Sequence, residues 1–305
     1  MPRSQRLEVD VDGHRLSLSN LDKVLYPAVG FTKGQVIDYY TRIAPAVLPH
    51  LRDRPLTLKR YPNGVEGSFF YEKNAPSHRP AWVRAERVRM RATNAIDFVV
   101  CDDLPTLVWL ANLADLELHP SLATVGDVTA PTILAFDLDP GEGTTIVECA
   151  EVAVRLRLVM DQLGLQCFPK TSGSKGMQVY VPLNTGGVTY DVTKPFARAI
   201  AQVLERAEPD LVVSDMAKER RRGKVFVDWS QNDEHKTTVG VYSLRAREHP
   251  TVSTPLAWSE VEAVLESRDP DDLVFTSSDV LARVAEHGDR FAPVATLQQQ
   301  LPSLA

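Results

Sequence analysis

Apolar residues along this chain change spacing repeatedly, and the change is sharpest between residues 131 and 229. Leu134-Ala135-Phe136 run unbroken into Asp137-Leu138-Asp139 before Pro140-Gly141 end the run, the pattern of a buried strand meeting a turn. From Glu148 to Leu163 the apolar positions fall at 149, 152, 156, 159, 160 and 163, and Gly164 supplies the stop, which predicts a helix. Leu165 to Phe168 leads into a small-residue loop. Met177, Val179 and Val181 then alternate with Gln178 and Tyr180, predicting strand–loop–strand. Phe196, Ile200, Val203 and Leu204 predict a helix over Lys194 to Arg206, and Lys224-Val225-Phe226-Val227-Asp228-Trp229 predicts another strand. The order from residue 131 is strand, helix, strand, loop, strand, helix, strand, strand. That is an α+β unit with its polar groups at strand ends and in loops.

Upstream, Thr32-Lys33-Gly34-Gln35 is a capping-box pattern followed by Val36, Tyr40 and Ile43 at helical spacing, and Pro45 and Pro49 are expected to end that helix. Beyond residue 255 short helices, including Val280 to Ala285, precede a Gln-rich tail (Gln298 to Gln300) expected to fray. The chain divides into an N-terminal module (1–130), a core (131–255) and a helical segment (256–305), expected to pack as one compact domain. No internal repeat is present.

With 305 residues and 44% apolar composition, core material is ample. Cys101, Cys149 and Cys167 form no Cys-x-x-Cys and show no metal-binding spacing, so reduced thiols are expected. Met1-Pro2-Arg3-Ser4-Gln5-Arg6 leads into a polar segment and no 18-residue apolar run occurs, so neither signal peptide nor membrane span is expected. The expected location is the cytoplasm, associated with the nucleoid. The net charge of −6 argues against a protein that coats nucleic acid indiscriminately. Basic residues nevertheless cluster at Arg52, Arg54, Lys59 and Arg60 and from Lys218 to Lys224, whereas Glu260, Glu262, Asp269, Asp271 and Asp272 hold acidic excess elsewhere. A locally basic groove on a globally acidic protein is expected.

The chemistry starts with Asp137 and Asp139. Two residues apart in a strand, they project from one side, and two carboxylates so close repel unless a cation or a proton intervenes. An isolated Asp-x-Asp is more simply a polar strand end, but Asp228 on a second strand would make three acids. Such a set suits hard divalent cations, a pair of which about 3.5–4 Å apart serves in-line phosphoryl displacement. Lys170-Thr171-Ser172-Gly173-Ser174-Lys175-Gly176 adds backbone N–H groups, hydroxyls and a lysine, the makings of a phosphate cradle, although without Walker A spacing.

Phe-Asp-Leu-Asp-Pro-Gly-Glu-Gly at 136–143, Thr-Ser-Gly-Ser-Lys-Gly at 171–176 and Lys-Val-Phe-Val-Asp-Trp-Ser-Gln-Asn at 224–232 resemble the polymerase domain of bacterial ATP-dependent DNA ligase D. That domain is a branch of the archaeo-eukaryotic primase superfamily. Segments 18–27, 54–64 and 242–247 are similar as well, so the likeness runs in order over nearly the whole chain, in what reads as a stand-alone form. The resemblance implies an α+β primase-polymerase core with two β-sheets flanking the cleft and helices packed outside.

What the resemblance implies for individual residues follows the motifs. Asp137, Asp139 and Asp228 would be metal ligands for two Mn²⁺ or Mg²⁺ ions, with His119 and Arg221 as catalytic neighbours. Three consecutive arginines, Arg220 to Arg222, leave that last match open by one position. Ser172, Gly173, Lys175 and Arg245 would hold the triphosphate. Phe69 and Phe70 would stack on the nucleotide, Lys59 would share that pocket, and Gln231 would face it. Asn20, Lys23 and Lys33 would receive a downstream 5′-phosphate. Gln178 stands where superfamily members usually carry His, so nucleotide affinity or rate is expected to be lower.

The implied activity is a DNA-dependent nucleotidyltransferase that extends primers at gaps or breaks in non-homologous end joining. It would take NTPs or dNTPs with a preference for ribonucleotides, with Ku and a DNA ligase as partners. A de novo primase and a weakly catalytic end-bridging module are the rival readings. A two-metal nuclease would share the acids but has no need of the cradle.

Overall fold

A computed structural model describes residues 6–89 and 94–302. Met1 to Gln5, which with Arg6 are read above as no signal peptide, lie outside the described residues. The N-terminal sheet comprises β1 (Leu56–Arg60), β2 (Phe70–Glu72), β3 (Ala85–Val88), β4 (Ile96–Val99) and β5 (Asp115–Pro120). Within it β1 pairs antiparallel with β2 and with β5, placing Thr57 opposite His119 and Lys59 opposite Glu117. The second sheet comprises β6 (Ile133–Pro140), β7 (Phe168–Thr171), β8 (Met177–Pro182), β9 (Val212–Val213) and β10 (Val225–Asp228), in the order β7-β8-β6-β10-β9.

Strand alternation decides which side of the second sheet carries chemistry. Leu134, Phe136 and Leu138 of β6, Met177, Val179 and Val181 of β8, and Val225 and Val227 of β10 share one apolar cluster. Helices α3 (Ile146–Gln162) and α4 (Tyr190–Ala207) cover that cluster with Val152, Leu156, Phe196 and Ile200. The opposite face begins with Ile133, Ala135 and Tyr180, which join a different cluster shared with Leu56, Leu58, Leu116 and Leu118 of the first sheet. Asp137, Asp139, Gln178 and Asp228 continue that second face. Each fully buried Leu or Phe contributes about 1.5–3 kcal/mol, so reversing this alternation would cost several such side chains.

Helices α1 (Lys33–Leu51) and α2 (Leu104–Asn112) belong to the shared cluster. The capping box at Thr32 and Gln35 is present: the Gln35 amide N donates to Thr32 Oγ1 at 3.3 Å, and the Thr32 amide N donates to Gln35 Oε1 at 2.8 Å. The expected stop at Pro45 and Pro49 does not occur; α1 runs through both. Their missing N–H donors are outweighed by burial of Val36, Tyr39, Tyr40, Ile43, Val47 and Leu51 along one face.

The C-terminal segment folds as α5 (Trp258–Ser267), α6 (Ser277–His287) and α7 (Ala292–Thr296). Phe291 and Val294 enter the same cluster as Leu16 and Tyr40, so one apolar core draws on both ends of the chain. Fraying was expected at Gln298 to Gln300, but Gln299 is pinned. Its Nε2 donates to the carbonyls of Gln166 and Pro182 at 3.0 and 2.9 Å, and its Oε1 accepts from the Gln166 amide at 2.7 Å. Cys101, Cys149 and Cys167 are free and buried.

Two glycines let backbones meet at the end of β6. A Cβ on Gly141 would lie 1.8 Å from the Arg221 carbonyl oxygen, and one on Gly176 would lie 2.2 Å from the Leu138 carbonyl oxygen. Gly176→Ala is expected to lower unfolding free energy by about 1–3 kcal/mol in chemical denaturation. Gly126→Ala, whose Cβ meets only Thr124 Oγ1 at 3.8 Å, should stay within about 0.5 kcal/mol of the parent. Equal stability of the two variants would contradict this packing.

Candidate metal and nucleotide site

Antiparallel register assembles the acids. Asp137 lies opposite Gln178 on one side of β6 and opposite Asp228 on the other, while Asp139, two residues on, lies opposite Phe226. Burial first, and then the Asp139 charge, push the Asp137 carboxyl up to about 7. Burial and Asp228 likewise raise Asp139. This is the electrostatic strain that a divalent cation would relieve.

Asp228 is held in place independently. Its Oδ1 accepts from the Ser230 amide at 2.9 Å and the Ser230 hydroxyl at 2.5 Å, and its Oδ2 accepts from Gln231 Nε2 at 2.9 Å. The three acids therefore do not stand as a ready-formed metal cluster among the described residues. Asp228 Oδ2 accepts only one hydrogen bond and keeps a second lone pair, and ligating carboxylates are commonly hydrogen-bonded from behind, so the donor set still fits a hard cation.

A cleft of about 450 Å³ opens over Asp137 and Asp139, with Asp228 behind its lining. His119, Asp137, Asp139, Ser172, Lys175 and Arg245 line it, together with Gln178, Arg221 and Gln231. Gly173 takes φ +67°, and a Cβ there would lie 2.5 Å from the Val252 carbonyl carbon, so only glycine lets the 172–176 loop pass the backbone at 252–253. Ser172 Oγ accepts from the amides of Ser174 and Gly176 at 3.2 and 3.1 Å, and Arg245 donates to the Ser172 carbonyl at 2.5 Å. Lys175 is left exposed at the rim. The loop is thus braced from within while its lysine stays available to an anion.

Gln178 is buried and fully engaged. The Lys170 ammonium donates to its Oε1 at 2.5 Å, to the Ser253 hydroxyl at 2.7 Å and to the Val239 carbonyl at 3.1 Å. Burial lowers Lys170 to about 7. Because the lysine must meet the amide oxygen, Gln178 Nε2 turns to Thr238 Oγ1 at 2.6 Å, and its hydrogen bond to Asp137 partly offsets that acid's raised pKa. Of the three arginines left open by the sequence, Arg221 lines the cleft, whereas Arg220 pairs with Asp215 at 2.8 Å. Arg221 lies over the Phe226 ring, 3.7 Å from its centroid.

The opposite wall centres on a residue that sequence reading missed. Glu117 Oε2 meets Lys59 Nζ and His119 Nε2 at 3.0 Å each and Arg245 Nε at 3.4 Å. Lys59 Nζ also lies 4.7 Å from the Phe69 ring centroid, 5.4 Å from that of Tyr61 and 5.6 Å from that of Tyr71. Phe70 faces elsewhere: strand alternation in β2 puts it opposite Arg60, whose guanidinium lies 5.1 Å from its ring. The aromatic neighbours of Lys59 are therefore Phe69, Tyr61 and Tyr71, while Phe70 lies beside Arg60. The alternating run Leu116-Glu117-Leu118-His119, which sets a carboxylate in phase with the histidine, was the signal available for Glu117.

Asn20, Lys23 and Lys33 gather away from this cleft, at the start of α1. Lys33 Nζ donates to the Ser19 carbonyl at 2.6 Å and Lys23 Nζ to the Pro62 carbonyl at 2.5 Å. Burial, then the neighbouring Lys23 charge, lower Lys33 to about 8. Two ammonium groups beside a helix N-terminus suit an anion.

With this geometry in hand, comparison with known proteins is specific. The family described as LigD, primase-polymerase domain, matches residues 32–291. The multifunctional non-homologous end joining protein LigD of Mycolicibacterium smegmatis is 42% identical over 282 residues, 92% of this chain and 36% of that protein. The bifunctional LigD protein of Bacillus subtilis is 32% identical over 277 residues, 91% of this chain and 44% of that protein. The chain thus spans less than half the length of these curated relatives. Among solved structures, the polymerase domain of Mycobacterium tuberculosis ligase D in complex with DNA aligns with a TM-score of 0.85 at 39% identity, over 93% of this chain and 99% of that one. The matched span takes in both sheets and every residue of the cleft, and the chain belongs to the LigD primase-polymerase domain family.

Proposed function

We propose that this chain is a template-guided nucleotidyltransferase that extends a primer 3′ end at gaps or double-strand breaks in non-homologous end joining. The carrying observation is the register that sets Asp137 against Asp228, with Asp137 and Asp139 lining a cleft shared with Ser172, Lys175 and Arg245. Family membership implies divalent-metal use; we assign it to two Mn²⁺ or Mg²⁺ ions. Asp137, Asp139 and Asp228 would hold them, and bound there the ions would lower the pKa of the primer hydroxyl and neutralise charge on the triphosphate.

The remaining work falls to the chain's own groups. Ser172, Gly173 and Lys175 orient the phosphates through backbone and side-chain donors, and Arg245 and Arg221 add charge. Lys59 and His119 approach from the other wall, with Phe69 offering an aromatic face to base or sugar. Asn20, Lys23 and Lys33 take a 5′-phosphate on the downstream strand, which aims the enzyme at gaps and ends. Ribonucleotide preference, Ku and a DNA ligase as partners, and action at the nucleoid complete the reading. No helix among the described residues is long and apolar enough to cross a membrane.

Asp137→Ala with Asp139→Ala should reduce extension of a gapped, 5′-phosphorylated duplex by on the order of a hundredfold or more with either nucleotide set, without lowering thermal stability. Extension near the parent level would refute the metal assignment.

The raised Asp137 carboxyl adds a pH signature to the metal-free protein. The native state holds this proton up to about pH 7, while an unfolded Asp releases it near pH ~3.9. Between those values the folded chain binds more protons, so stability falls as pH rises. Asp137→Asn should flatten that fall in thermal melts taken from pH 4 to 8, and an unchanged slope would show that Asp137 is not its source.

A further inference from the structure

Glu117 lies between Leu116 and Leu118 in β5 and is only 2% exposed, an expensive place for a charge. It is nevertheless ionised: burial would raise its pKa, but the His119 hydrogen bond and the charges of Arg245 and Lys59 hold it well below the usual carboxylate range. Both oxygens are occupied. Oε2 meets Lys59 Nζ and His119 Nε2 at 3.0 Å and Arg245 Nε at 3.4 Å, and Oε1 meets the Ala246 amide at 3.1 Å and the Tyr61 hydroxyl at 3.3 Å.

A carboxylate can only accept, so each hydrogen-bonded partner must donate, whereas Arg245 Nε pairs with it by charge alone. For His119 that settles the tautomer. Burial lowers the His119 pKa, and in the neutral ring the proton sits on Nε2 and the lone pair on Nδ1. The same carboxylate ties Lys59 on β1 to Arg245, whose carbonyl oxygen is itself held by the Tyr26 hydroxyl at 3.0 Å. Three groups from distant parts of the chain are thereby set relative to one another by one side chain.

Building on the nucleotidyltransferase reading, we propose that Glu117 is a positioning residue that fixes the Nε2–H tautomer of His119 and the placement of Lys59 and Arg245, and so sets how tightly the cleft takes a nucleoside triphosphate. A purely structural ion pair would place the same residues in contact without affecting nucleotide affinity. Charge alone predicts the opposite sign, because losing a negative charge beside Lys59 and Arg245 should tighten triphosphate binding.

The test is Glu117→Gln in the full chain, read in two ways. In spectra of ¹⁵N-histidine-labelled protein at pH 7, the parent should show His119 protonated at Nε2. The variant, whose amide offers donor and acceptor alike, should show a mixture of tautomers. In steady-state extension with ATP and Mn²⁺, KM for ATP should rise about tenfold, the loss of one charge-assisted hydrogen bond, while kcat changes less than about threefold. Glu117→Asp, which keeps the charge on a shorter stem, should give an intermediate KM and serves if the Gln variant does not fold.

Nδ1 protonation in the parent would overturn the proposal, as would an unchanged or lowered KM in either variant. Failure of the parent to extend any primer would remove the nucleotidyltransferase reading instead, and the tautomer spectra would still decide whether Glu117 sets His119.

Discussion

Everything at this site depends on the two-residue repeat of one strand. In β6 the odd positions leave the α3–α4 core and face the other sheet, so Asp137 and Asp139 reach the cleft because Leu134, Phe136 and Leu138 cannot. The same phase in β8 and β10 brings Gln178 and Asp228 alongside. Apolar burial, worth several kcal/mol across these strands, thus holds mutually repelling carboxylates together. Burial and the neighbouring carboxylate charges raise the Asp137 and Asp139 carboxyls, the strain that remains.

The second constraint is the segment from Val239 to Thr254, which joins the sheets. The Gly240 amide donates to the Leu118 carbonyl at 2.8 Å, and the Tyr39 hydroxyl donates to the Tyr242 carbonyl at 2.8 Å. The Tyr40 hydroxyl bridges the Leu116 carbonyl and the Leu244 amide at 2.7 and 3.1 Å. Arg245 is consequently fixed before any ligand arrives, and it reaches the Ser172 carbonyl on one side and Glu117 on the other. Pre-organisation of this kind keeps the cost of binding a highly charged nucleotide low.

Much of this was legible along the chain where the information is local. Strand alternation around Asp137, the helix from 146 to 162 with Gly164 after it, and the capping box at Thr32 all follow from near neighbours. What was not legible depends on distant partners. Pro45 and Pro49 break helices on average, but tertiary burial of α1 overrides them. Gln299 looked like a fraying tail because its partners, Gln166 and Pro182, lie more than a hundred residues away. Glu117 was passed over for the same reason: its partners include Lys59 and Arg245. Phe69 and Phe70, adjacent in sequence, face different cations, Lys59 and Arg60, because strand neighbours face apart.

The central claim is that the acid at 228 shares cations with the pair at 137 and 139, although its oxygens are already bonded to Ser230 and Gln231. Counting bound Mn²⁺ by electron paramagnetic resonance, with a non-hydrolysable nucleoside triphosphate present, tests this most directly. Two ions per chain are expected in the parent and fewer than two in Asp228→Asn. An undiminished count in that variant would contradict the account.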